Sequence, residues 1–247
     1  MAILLKNGVI FLHIPKTGGS WVTAVLEDQG LVKRPIGHIH ADLHQVLRLQ
    51  NSKFMIMQLL LDPVKAYVPL SIKRRLNPYR KINRDIWEGR LPDKDITPFI
   101  FCFVRHPLSW YESIWKYMYQ HDQPMFFGRQ YDIRRWHPLS MLNGLGDPNF
   151  NKFIESVITK RPGFVTELYG WYTMPGVNFV GKQENLVEDL IRALRMANID
   201  FDEARVRNFK KVNVSLDPVK FSWDSDLRQE ILRLEYAALR RYGYRNG

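Results

Sequence analysis

An α/β domain with a central parallel sheet flanked by helices is the fold class this sequence predicts, on two observations. Short apolar runs at Val9–Ile14, Phe99–Val104 and Val177–Gly181 read VIFLHI, FIFCFV and VNFVG. Their length and β-rich composition suit strands buried on both faces. Stretches with helical apolar spacing follow them, and strands alternating with helices argue for a parallel sheet.

The first strand runs into Pro15-Lys16-Thr17-Gly18-Gly19. Ser20–Asp28, SWVTAVLED, then sets Trp21, Val22, Val25 and Leu26 on one helical face, fit to pack against a sheet. Leu31–Pro98 is expected to hold helices and loops; it carries the histidine cluster Gly37–His44 and the basic stretch Lys73–Arg84. Phe99–Val104, the second strand, ends at Arg105-His106-Pro107. Leu108–Gln120 reads as a helix with Tyr111, Ile114, Trp115 and Met118 as its apolar stripe, and Pro107 suits an early helical position. Residues 119–176 show no assignable pattern. Val177–Gly181 is the third strand, and Glu184–Ala197 and Asp224–Tyr242 read as amphipathic helices. No repeat or linker interrupts the chain, so residues 1–247 read as a single domain.

Apolar residues make up 45% of the 247, enough to bury a sizeable core and to exclude global disorder. The net charge of +11 favours anionic partners such as nucleotides, nucleic acid or acidic glycans, although a solvated basic surface explains it equally well. The single cysteine, Cys102, lies inside an apolar run; it allows no intrachain disulfide and no cysteine-based metal site. No segment approaches ~20 uninterrupted apolar residues, so no membrane span is expected. Met1–Gly8 leads straight into a strand-like segment without the features of a secretory leader, and the expected compartment is the cytoplasm.

The strongest chemical signal is His13-Ile14-Pro15-Lys16-Thr17-Gly18-Gly19-Ser20. A glycine pair between a buried strand and a helix permits a tight turn and lets backbone amides approach a ligand. The helix start adds free N–H donors and partial positive charge, which favour phosphate or sulfate. Lys16 adds a full charge, and Thr17 and Ser20 add hydroxyls. Alone, a Gly-Gly pair is most simply a turn beside a solvated lysine; strand, lysine, hydroxyls and helix in register point to phosphate binding. The loop is P-loop-like but lacks the Walker order, because its lysine precedes both glycines.

Strand, Pro-Lys-Thr-Gly-Gly-Ser and helix in this order resemble the 5′-phosphosulfate loop of sulfotransferases that use 3′-phosphoadenosine 5′-phosphosulfate. The wording IPKTGGS is most similar to the carbohydrate-type branch, which includes uronosyl 2-O-sulfotransferases and short bacterial relatives. Arg105 at a strand end, with Ser113 eight positions later on the next helix, resembles the family's 3′-phosphate site. Arginine's planar fork suits that task. Gly181–Leu186 is similar to a family segment whose role is structural. Asn213-Val214-Ser215, preceded by Lys210 and Lys211, resembles the loop that closes over the nucleotide; the two lysines could equally be a solvated pair.

The resemblance implies the sulfotransferase fold and a PAPS-dependent enzyme that moves a sulfuryl group to a hydroxyl or amine acceptor, an acidic glycan among the candidates. The product nucleotide would be adenosine 3′,5′-bisphosphate. Pro15, Lys16, Thr17, Gly18, Gly19, Ser20, Arg105, Ser113 and Lys211 would hold the nucleotide, with Lys16 also stabilising the leaving phosphate; no metal is implied. Histidine is apt as the base that takes the acceptor's proton, since its ordinary pKa lies near working pH. His38, 22 positions after Lys16, matches the uronosyl branch's Gly-His motif, with His40 and His44 as rivals. His13 reads as a core or supporting residue, and His106 as ordering its strand end. Lys73–Arg84 could bind an acidic acceptor, but reads most simply as a solvated basic insert.

Two other functions compete. A nucleotide kinase would need Mg²⁺ and a carboxylate at a strand end, and neither Phe99–Val104 nor Val177–Gly181 is followed directly by aspartate. A nucleic-acid-binding module would rest on the positive charge alone, and its affinity would fall steeply with salt. The expectation is therefore a nucleotide-dependent enzyme with no nucleic-acid partner.

Overall fold

A computed structural model describes residues 2–36, 40, 42–43, 46, 98–128, 137–212 and 220–244. Among these residues five strands form one sheet: β1 (Ala2–Leu5), β2 (Ile10–Leu12), β3 (Val32–Ile36), β4 (Ile100–Val104) and β5 (Phe179–Lys182), in the order β3-β1-β2-β4-β5. β2, β4 and β5 run parallel, with Leu12 opposite Cys102 and Cys102 opposite Val180.

The expected all-parallel sheet is corrected here to a mixed one. β1 is antiparallel to both β2 and β3. Its sequence, AILL, is fully buried and turns into β2 through a tight corner in which the Leu5 amide donates to the Val9 carbonyl. β3, VKRPI, is an edge strand of mostly exposed or half-buried residues, where Pro35 costs no ladder hydrogen bond on its outer side. Charge and proline on an edge limit pairing with other chains, and they hide the strand from a reading based on apolar runs.

Among the described residues the helices are α1 (Gly19–Asp28), α2 (Pro107–Gln120), α3 (Phe150–Lys160), α4 (Phe164–Tyr172), α5 (Leu186–Met196), α6 (Glu203–Arg207), α7 (Ser225–Leu234) and α8 (Tyr236–Arg241). The stretch 119–176, without a pattern in sequence, thus holds α3 and α4. The helix expected over Glu184–Ala197 begins as a 3₁₀ turn, Gln183–Asn185. The helix expected over Asp224–Tyr242 divides at Glu235, whose fully buried carboxylate accepts from the Tyr111 hydroxyl, the Val165 and Thr166 amides and the Thr166 hydroxyl. That carboxylate serves the first turn of α4, where free amides and the helix dipole favour negative charge.

The strand period of two sorts the core into two layers. Leu4, Ile10, Leu12, Cys102 and Val104 face α2, α3, α4, α7 and α8. Ile3, Leu5, Phe11, Phe101 and Phe103 face α1 and α5. β4 is buried at all five positions, as its uninterrupted apolar sequence requires. Each large side chain buried in this way contributes about 1.5–3 kcal/mol. α1 and α2 therefore leave two neighbouring parallel strands toward opposite faces of the sheet. This opens a crevice at the strands' carboxyl ends, the position where open α/β sheets bind ligands.

Candidate functional site

The first wall of the crevice is the corner between β2 and α1. Gly18 takes a left-handed conformation (φ 86°) immediately before α1. A Cβ there would fall 2.6 Å from the Leu186 side chain. At Gly19 a Cβ would fall 1.9 Å from His13 Cδ2, so the imidazole fills the space the missing side chain leaves. Lys16 itself has φ 65°, an uncommon conformation for a residue with a side chain. The Thr17 hydroxyl turns inward, donating to the Ile14 carbonyl at 3.0 Å, and the residue is 1% exposed. Thr17 thus presents backbone rather than a hydroxyl donor to the crevice. Pro15 is buried and Ser20 exposed. The first-turn amides of α1 have no intrahelical acceptor and lack a side-chain cap.

The second wall is the corner between β4 and α2. The Tyr169 hydroxyl accepts from the Arg105 amide at 3.0 Å and donates to the Arg105 carbonyl at 2.7 Å. His106 caps α2, its Nδ1 accepting from the Leu108 amide at 3.3 Å, and Pro107 occupies the first turn. The Glu184 carboxylate takes the His106 amide at 2.6 Å and the Tyr244 hydroxyl at 3.0 Å, tying β5 and the last described residue to this corner.

The two walls are joined. Trp110 Nε1 donates to the Pro15 carbonyl at 2.9 Å. Arg105 Nη1 reaches the Lys16 carbonyl at 3.5 Å. The Lys16 ammonium lies 4.1 Å from the ring centre of Tyr117. Ser113, half-buried, precedes Tyr117 by four positions and so shares its face of α2. Lys16 and Arg105 therefore meet in one crevice, with Ser113 one helical turn from the ring that touches Lys16.

The electrostatics of the crevice favour an anion. Burial, then the nearby Arg105 charge, lowers the Lys16 amine to about 8. Burial also lowers Arg105, offset in part by Tyr169, Glu184, Glu112 and Tyr244. Arg105 Nε is buried and makes no hydrogen bond among the described residues. A buried unpaired donor on one of two crowded cations carries a desolvation cost that an incoming anion relieves. Phosphate and sulfate fit the donor set: the Lys16 ammonium, the Arg105 fork and helix-start amides.

A cluster of imidazoles adjoins the loop. The His40 ring meets His13 edge-on at 5.0 Å and His137 edge-on at 4.5 Å. His40 Nδ1 lies 3.1 Å from the His13 carbonyl, and the Tyr172 hydroxyl donates to the His40 carbonyl at 2.6 Å. A carbonyl partner requires Nδ1 to carry the proton, which leaves Nε2 as an acceptor. Burial, then the charge of the chain's amino terminus, pushes His13 down to about 3; the same causes, with His137 and His13, hold His40 well below the usual histidine range.

Among the residues singled out from sequence, Lys16, Arg105 and the glycines share the crevice, and His40 stands behind it through His13. Lys211 is exposed and forms no bond to this crevice among the described residues; Phe209, two residues earlier, meets Trp21 of α1 edge-on at 6.2 Å. His38, His44, Lys73–Arg84 and Asn213–Ser215 lie outside the described residues. The sequence reading missed His137, Tyr117, Tyr169 and the role of Trp110. His137-Pro138 repeats the pattern of His106-Pro107: in both, the histidine Nδ1 caps a helical turn that proline opens. That repeat was the available signal. Among the described residues no group of three or more His, Cys, Asp or Glu side chains is placed to hold a metal ion, and no helix is long and apolar enough to cross a membrane.

Comparisons with protein-family models, with curated proteins and with solved structures each return no match.

Proposed function

We propose that this chain is a sulfotransferase that uses 3′-phosphoadenosine 5′-phosphosulfate and acts on a hydroxyl or amine acceptor. The observation that carries the reading is the meeting of Lys16 and Arg105 across two strand ends, with the Arg105 Nε buried and unbonded among the described residues. The sequence resemblance assigns these two residues to the two phosphate ends of one nucleotide, and a bisphosphate needs two cationic anchors of this kind.

The donor would supply a sulfuryl group on a phosphate leaving group. The first-turn amides of α1 and the Lys16 ammonium would bind the 5′ end, and Arg105 with Ser113 the 3′-phosphate. The acceptor oxygen attacks sulfur, the bond from sulfur to the bridging oxygen breaks, and adenosine 3′,5′-bisphosphate leaves. Lys16 stabilises the charge that grows on the leaving phosphate; removing one preorganised donor of this kind costs ~10²–10³ in rate. The acceptor's proton passes to a histidine. His38 takes the role by resemblance, with His40 as its rival; burial holds the His40 imidazole well below the usual histidine range, which keeps it neutral but makes it a weak base. Both corners are fixed by hydrogen bonds before any ligand arrives, which favours in-line positioning.

The test is thermal stabilisation by adenosine 3′,5′-bisphosphate, by ATP with Mg²⁺ and by duplex DNA, followed by transfer of labelled sulfate to a panel of sugars and phenols. A ligand at 100 times its dissociation constant adds ~2.7 kcal/mol of stability. The bisphosphate is expected to stabilise the chain; a response confined to ATP with Mg²⁺, or to DNA, overturns the reading.

A further inference from the structure

Tyr117 is 42% exposed, an unusual setting for an aromatic ring that touches a partly buried lysine. Its face lies 4.1 Å from the Lys16 ammonium, within the range in which a ring quadrupole attracts a cation. Tyr117 is held in turn: it stands on the well-packed helix α2, and the His121 ring, one turn further on, lies 4.6 Å from it. Lys16 is held at its backbone in a left-handed conformation, with its carbonyl facing Arg105. The side chain therefore spans the crevice from the loop wall to the helix wall and ends on the ring, at its open side.

We infer that Tyr117 is a positioning residue for Lys16, its ring face seating the ammonium at the mouth of the anion crevice, charged and ready to engage a bound phosphate. The inference rests on Lys16 as the leaving-group residue of the proposed function. Two influences work against the charge on Lys16, burial and the Arg105 guanidinium. Among the described residues, the groups facing Lys16 are Arg105 from the end of β4 and Tyr117 from α2, with His121 behind the ring; Arg105 is itself faced by Glu184, Glu112, Tyr169 and Tyr244. Of the two that face Lys16 directly, only the Tyr117 ring favours the protonated amine.

The experiment is the pH dependence of acetic anhydride labelling at Lys16 in the full chain, read by mass spectrometry for the wild type, Tyr117→Phe and Tyr117→Leu. Phenylalanine keeps the ring face; leucine keeps an apolar cover without it. The wild type and Tyr117→Phe are expected to titrate alike, near 8. Tyr117→Leu is expected to titrate about 0.5 pH lower, giving about threefold faster labelling at neutral pH. Coincident titrations in all three proteins overturn the inference. In a parallel arm, adenosine 3′,5′-bisphosphate is expected to protect Lys16 from label. Lack of protection together with a shifted Tyr117→Leu titration would overturn the nucleotide reading and leave the seat standing, so the two failures are distinguishable. With transfer activity in hand, Tyr117→Leu is expected to lower kcat and to weaken nucleotide binding, while Tyr117→Phe retains both, a rescue by the ring face that a merely structural role would not produce.

Discussion

Arg105 Nη1 faces the carbonyl oxygen of Lys16 across 3.5 Å, although the two residues stand 89 positions apart in the chain. The contact exists because β2 and β4 are parallel neighbours, so that both strands deliver their terminal residues to one edge of the sheet. It aims the guanidinium at the turn that carries the lysine, and it makes the pair a single cationic feature.

Arg105→Lys is expected to weaken adenosine 3′,5′-bisphosphate binding by about 10-fold or more, since a point charge replaces a bidentate fork. Lys16→Met is expected to weaken it comparably. Isothermal titration at fixed salt checks both. Binding unchanged in Arg105→Lys would mean that Arg105 does not touch the ligand.

Nucleotide affinity is expected to fall as pH rises through about 8, where the Lys16 amine loses its proton, and Lys16→Met is expected to flatten that dependence. Stability without ligand moves the opposite way. Folding lowers this amine from 10.5 to about 8, so the unfolded chain holds the proton more tightly across that interval. The strain of a charged Lys16 is thus present below about pH 8 and is relieved as pH climbs from there toward 10.5. Lys16→Met should therefore be more stable than the wild type at pH 7 and lose that advantage at high pH, as urea denaturation at several pH values will show.

Gly19→Ala is expected to destabilise the fold by ~1–3 kcal/mol, because the new methyl would occupy the His13 ring's position 1.9 Å away. Gly18→Ala adds left-handed strain of about 1–2 kcal/mol to its contact with Leu186. Chemical denaturation measures both. A Gly19→Ala protein as stable as the wild type would show that His13 moves aside at little cost.

Glu235→Leu is expected to cost ~3 kcal/mol or more, leaving the Tyr111 hydroxyl, two amides and the Thr166 hydroxyl without their acceptor in the core. Glu235→Gln should cost less, since it keeps one acceptor oxygen. Equal stability of the two variants would contradict this account of the break between α7 and α8.

Local patterns carried the parts of the fold that repeat at short range. β4 could be read because a strand covered on both faces is apolar at every position, and the corner at Gly18 because a left-handed residue before a helix favours glycine. β3 escaped because its lysine, arginine and proline are the composition of an edge, which resembles a loop. β1 is apolar but short, and its antiparallel direction is a property of its partners rather than of its four residues. Within the site, residue types at the two corners were legible. The supports were not: Trp110 reaches Pro15 over 95 positions, Tyr169 reaches Arg105 over 64, and Tyr172 reaches His40 over 132. No window along the chain contains both members of such a pair.

The indole bond from Trp110 to Pro15 gives the crevice a foundation shared with the hydrophobic interior, because the same ring packs on Phe164 at 5.7 Å and on Tyr111 at 5.5 Å. A ligand arriving there meets donors already immobilised, and little of its affinity is consumed in ordering the chain. The reverse also holds: a substitution as remote as Phe164→Ala would be transmitted through the indole to the loop, blunting recognition while every residue that faces the ligand is still in place.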